Sequence, residues 1–108
     1  MRKITTLAVT AFVNNTPFKR DNTEVIVTKN GTHLNLHGHT IATHAKASDK
    51  VLINNQGYAT NTTKERLNGI LDAYRADSYI FQKNFQWYIS LAGQEPFKEF
   101  PSNEWVTI

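Results

Sequence analysis

The sequence predicts an α+β fold: a single domain with two helices and an antiparallel sheet of four to six strands, in the order α-β-β-β-β-α-β-β. Three observations predict it. Apolar residues recur at helical spacing near the N-terminus and again between residues 62 and 75. The segments between and after those helices alternate with the two-residue period of strands. Asn, Gly and Pro clusters cut the alternating segments at hairpin-length intervals.

The first element runs from Lys3 to Val13. Ile4, Leu7, Ala8, Ala11 and Phe12 form a helical stripe. Asn14-Asn15 and Pro17 end it, because proline cannot continue the hydrogen-bond ladder. The next strand is Glu24 to Thr28. Asn30-Gly31 follows as a hairpin signal, since both central residues of a type I′ turn need positive φ. Thr32 to His37 then places Leu34 and Leu36 on one face and His33, Asn35 and His37 on the other. Gly38 turns the chain into a strand from His39 to His44, and Val51 to Ile53 forms a short apolar strand closed by Asn54-Asn55-Gln56-Gly57.

In the second helix, Thr62-x-x-Glu65 reads as a capping box, each side chain satisfying a free N–H of the first turn. Leu67, Ile70, Leu71 and Tyr74 supply its apolar stripe, and Arg75 suits its negative C-terminal end. Ser78 to Gln82 and Phe85 to Leu91 make a last hairpin around Lys83-Asn84. Residues 1–95 are expected to form the domain. Residues 96–108 are an aromatic tail carrying Phe97, Phe100 and Trp105. The tail either folds back over the sheet to complete the core or anchors another protein.

Composition narrows the function. The chain has 108 residues and no cysteine, which excludes disulfides, a thiol nucleophile and thiolate metal sites. No apolar run is long enough to span a bilayer and no signal peptide is read at the N-terminus, so no membrane partner is expected and the expected location is cytoplasmic. The formal net charge is +3. Residues 1–66 carry 9 basic and 4 acidic side chains, residues 67–108 carry 3 and 5, so an anionic partner would meet the first two-thirds of the chain.

The run Gly57 to Asn68, with Asn61-Thr62-Thr63-Lys64-Glu65-Arg66-Leu67-Asn68 at its centre, resembles a group of small, functionally unassigned proteins of tailed bacteriophages. Gln82 to Tyr88, Phe18 to Val25 and the Leu36-His37-Gly38 turn share the resemblance, which extends over about residues 4–90. Tyr58 stands where the group has Trp. The resemblance implies a phage context and no particular chemistry.

The four histidines, His33, His37, His39 and His44, are the candidate metal ligands. His33 and His37 lie about 13 Å apart on one strand and cannot share an ion, so no metal and no cofactor are expected. The acids show no paired arrangement, and neither a nucleophile-elbow motif nor a phosphate-cradling loop is present, so a non-enzyme is expected. Nucleic acid, DNA or RNA, is the expected partner. Lys19, Arg20, Lys64 and Arg66 are the candidate phosphate contacts, Thr62 and Thr63 supply hydroxyls at a helix N-terminus, and Tyr88 is a candidate for base stacking. The alternative is a protein-binding module that modifies or inhibits a host or phage enzyme. Monomer and homodimer remain equally open.

Overall fold

The computed structural model describes residues 1–94 and 96–108; the domain boundary expected at residue 95 falls outside them. The architecture is α+β. Its elements are α1 (Lys3–Val13), β1 (Phe18–Arg20), β2 (Thr23–Thr28), β3 (Gly31–Leu36), β4 (His39–Ala45), β5 (Lys50–Ile53), α2 (Asn61–Tyr74), β6 (Tyr79–Lys83), β7 (Gln86–Ser90), β8 (Lys98–Glu99) and β9 (Val106–Thr107). They build two antiparallel sheets in place of the one expected. The larger has six strands in the order β1-β2-β3-β4-β5-β9, the smaller three in the order β6-β7-β8. The segment after Pro96 contributes a strand to each, and its Phe100 is buried beside Trp87.

Alternation explains the larger sheet. Val25, Leu34, Ala42 and Ile53 stand opposite one another across β2 to β5 and are buried on the face that carries the helices. Ile26, His33, Thr43 and Leu52 form the next row, on the opposite face, which no helix covers. Helix α2 packs between the sheets. It buries Leu67, Ile70 and Leu71, while its Asn68 side chain both donates to the Ile80 carbonyl and accepts from the Ile80 N–H. That side chain thereby satisfies the backbone of β6 as a neighbouring strand would.

Four local expectations are corrected. Helix α1 has the expected bounds, but its buried face is Thr5, Ala8, Val9, Ala11 and Phe12, and Leu7 is exposed. The helix is rotated toward α2, where Gly69 admits Thr5 and Val9 and Arg66 bonds the Thr5 hydroxyl. Lys19 and Arg20 do not precede the first strand; they are part of it, as β1. The β2–β3 turn has Lys29 and Asn30 at its centre, neither with positive φ, because Thr28 pairs with Gly31. Gly31 is needed for a close approach: a Cβ there would overlap the His44 carbonyl oxygen. Consecutive positive-φ residues occur at His37-Gly38, Gln56-Gly57 and Asn84-Phe85.

The fourth correction concerns the start of α2. Its N-cap is Thr60, whose hydroxyl accepts from the Thr63 N–H at 3.1 Å. Thr62 is already helical, and its hydroxyl instead accepts from Arg2. Glu65 turns to Arg2, Thr5 and Arg66, so the Thr62-Glu65 box does not form. Thr60→Ala is therefore expected to cost about 1 kcal/mol and Thr62→Ala less than half of that, read as urea-denaturation midpoints. Equal losses would contradict this cap.

Phe85 is 95% exposed and has φ 65. A bulky side chain in the left-handed region costs about 1 kcal/mol or more, and here no folded contact offsets it. Phe85→Gly is expected to raise the melting temperature by several degrees; a lower value would show that the ring stabilises the turn.

Candidate nucleic-acid interface

The N-terminus of α2 opens into a cleft of about 250 Å³. Thr60, Thr62 and Thr63 form one wall, and His37, His39 and Tyr58 are among the residues opposite. The cap bond uses the Thr63 N–H, and the Lys64 N–H makes the first intrahelical bond to the Thr60 carbonyl. Among the described residues, the N–H groups of Asn61 and Thr62 find no partner within the protein. They lie at the positive end of the helix dipole, where an anion is favoured. Tyr58 is half exposed, with its ring 4.9 Å from His39 and its hydroxyl 3.2 Å from His39 Nε2.

The sheet register relates Arg20 to His39, which lines the cleft. Arg20 stands opposite Thr23, Thr23 opposite Leu36, and Leu36 opposite His39. Residues directly opposite share a face, so Arg20 and His39 end one row of about 14 Å. Lys19 lies on the other face, opposite Glu24. Arg2, at the start of α1, donates to the Thr62 hydroxyl at 3.3 Å and to Glu65 at 3.1 Å. Lys64 lies in the first turn, four residues after the cap, and is half-buried.

Arg66 is not at this surface. Its side chain is 1% exposed, and it is the largest fully buried side chain. Its Nε donates to Thr23 Oγ1, and its Nη1 donates to Thr5 Oγ1 and to Glu65. Thr63 is buried too, with its hydroxyl against that of Thr60. Tyr88 belongs to the small sheet, stacked on Phe81. Thus Thr62 and Thr63 line the cleft and Lys64 follows them in α2, whereas Arg20 ends its row about 14 Å from His39 and Lys19, Arg66 and Tyr88 face elsewhere. Arg2, His37, His39 and Tyr58 were missed as site residues. Of these, His37 lies in the Leu36-His37-Gly38 turn and Tyr58 in the run starting at Gly57, and the contact of Tyr58 with His39 joins those segments; Arg2 carries no local signal.

The histidines occupy separate settings. His33 is hydrogen-bonded between Thr28 and Thr43, His37 to Asn22, His39 to Tyr58 and His44 to Asp49. Among the described residues, no three His, Cys, Asp or Glu side chains are grouped to hold a metal ion. No helix among them is long and apolar enough to cross a membrane.

Burial works to raise the Glu65 carboxyl, but the Thr5 hydroxyl bond and the bonds and charges of Arg2 and Arg66 outweigh it and hold it below its ordinary value. A carboxyl depressed on folding adds stability above its unfolded pKa, about 4.3, and that stability is lost as pH falls through the folded value. The urea midpoint should therefore drop on acidification below about pH 4.5 more steeply in the native protein than in Glu65→Gln. Parallel pH profiles would contradict this role for Glu65.

Comparison with known proteins agrees with the sequence resemblance at the level of class: this is a bacteriophage protein. The sequence model of the family described as Kyanoviridae Gp96 protein matches residues 1–107, and the chain belongs to that family. No curated protein and no solved structure matches it.

Proposed function

We propose that the protein is a non-catalytic phage accessory protein that binds nucleic acid in the host cytoplasm, through the cleft at the N-terminus of α2. The observation that carries this reading is the cleft in which two unbonded helix N–H groups lie across from His37, His39 and half-exposed Tyr58. Helix N–H groups take a phosphate oxygen, and Arg20, Arg2 and Lys64 supply charge for phosphates on either side. Tyr58, half exposed at the cleft, offers a ring face to an unpaired base.

Fluorescence anisotropy with labelled DNA and RNA oligonucleotides tests the reading. Binding is expected near micromolar at low salt. About three phosphate contacts predict a log–log salt slope between about −2 and −3. Arg20→Gln together with Lys64→Gln should weaken binding and flatten that slope, with the melting temperature unchanged. Tyr58→Ala should weaken single-stranded binding and leave the slope alone. No binding of either polymer at low salt would overturn the proposal.

A further inference from the structure

The small sheet carries a second feature, remote in kind from the cleft. One face of it is core: Ile80, Trp87 and Ile89 are buried there with Phe100. The other face is also aromatic, and among the described residues no helix or further strand covers it. Phe81 and Tyr88 stand directly opposite each other, with ring centroids 5.5 Å apart and planes at 24°. Phe97 meets both edge-on, at 5.1 and 5.4 Å, and Tyr79 lies 5.7 Å from Phe81. Tyr79 is 51% exposed and Phe97 48%. Beyond the Lys83–Gln86 pair comes the turn with exposed Phe85. Monomeric proteins rarely leave so continuous an apolar patch open to water, and interface centres combine aromatic enrichment with few charges.

The charges on this face select its partner. Tyr79, Phe81 and Lys83 alternate onto it from β6, and Glu99 joins it from β8, opposite Tyr88. Among the described residues, one Lys and one Glu stand on this face and give no net field for phosphate. Phe81 and Tyr88 also stack on each other, which leaves less of each ring face for a base. The two charges sit on opposite edge strands of the sheet, β6 and β8. We infer that this face binds the same face of a second copy, about a two-fold axis parallel to the strands. That axis lays β6 of one copy over β8 of the other. Lys83 of each copy then approaches Glu99 of the partner subunit, offset by two residues along the strand, or about 7 Å, within reach of a lysine side chain. The pairing is isologous, so both contacts form at once. The exposed rings supply roughly 500 Å² per copy. A standard interface buries about 800 Å² per partner, so the dimer is weak and concentration-dependent.

Sedimentation velocity of the full chain without nucleic acid, from about 1 to 500 μM, tests this independently of the cleft. A monomer–dimer equilibrium with a micromolar dissociation constant is expected. Phe97→Asp should raise that constant at least about thirtyfold, with the melting temperature unchanged. Lys83→Glu and Glu99→Lys, both exposed, should each weaken the dimer about tenfold by setting like charges against each other. An equimolar mixture of these two single variants should recover native affinity as a heterodimer, because both of its contacts again join opposite charges. If Phe97→Asp fails to fold, the charge variants and their mixture decide. A chain that stays monomeric at 500 μM overturns the inference. So does a dimer that the charge variants leave unchanged, or one that the mixture fails to restore.

Discussion

Arg66→Ala is expected to lower the unfolding free energy by about 3 kcal/mol, a large share of the 5–15 kcal/mol typical of a domain. The guanidinium is 1% exposed and holds α2 to both α1 and the large sheet, through Thr5 and Thr23. Truncation removes those bonds, strips the two hydroxyls of a donor and leaves a cavity the size of the largest buried side chain. The charge penalty is tempered at Glu65, which keeps Arg2 as a partner and remains 27% exposed. Arg66→Met keeps most of the volume and should recover part of the loss, which separates packing from hydrogen bonding. Urea denaturation followed by circular dichroism measures both. A loss below 1 kcal/mol for the alanine variant would mean that the network is dispensable.

Gly69→Ala is expected to destabilise by about 1–2 kcal/mol, although alanine gains about 1 kcal/mol over glycine in a helix interior. The added Cβ would lie 2.9 Å from both Thr5 Cγ2 and Val9 Cγ2. Both neighbours are β-branched and have little rotamer freedom in a helix, and the Thr5 hydroxyl is held by Arg66 and Glu65. They can move only if α1 moves off α2. Gly69→Leu should cost more than Gly69→Ala. Val9→Ala should lessen the cost of Gly69→Ala, because it removes one of the two opposing methyls. A rise in melting temperature for Gly69→Ala would show that the helices have room to part.

The amino-acid sequence determined the class of this fold and most of its elements. Helices at Lys3–Val13 and through Tyr74, and the strands around Val25, Leu34, Ile41, Ile53, Ile80 and Ile89, follow from periodicity, from short apolar runs such as Val51 to Ile53, and from the turn residues between them. It also carried the phage resemblance. Tertiary structure alone decided the rest. Strands β1, β8 and β9 have only two or three residues, too few for a period, and exist because a neighbouring strand has open hydrogen-bonding groups at its edge. The division into two sheets depends on where α2 inserts. Thr60, with extended backbone, is the cap in place of Thr62, which is already helical and whose hydroxyl accepts from Arg2, 60 positions away. Arg66 looked like a surface cation because its charge is written in the sequence and its partners are not. Thr5, Thr23 and Glu65 come within reach of it only when α1, β2 and α2 pack together, and it is those distant hydroxyls and that carboxylate that make a buried guanidinium tolerable.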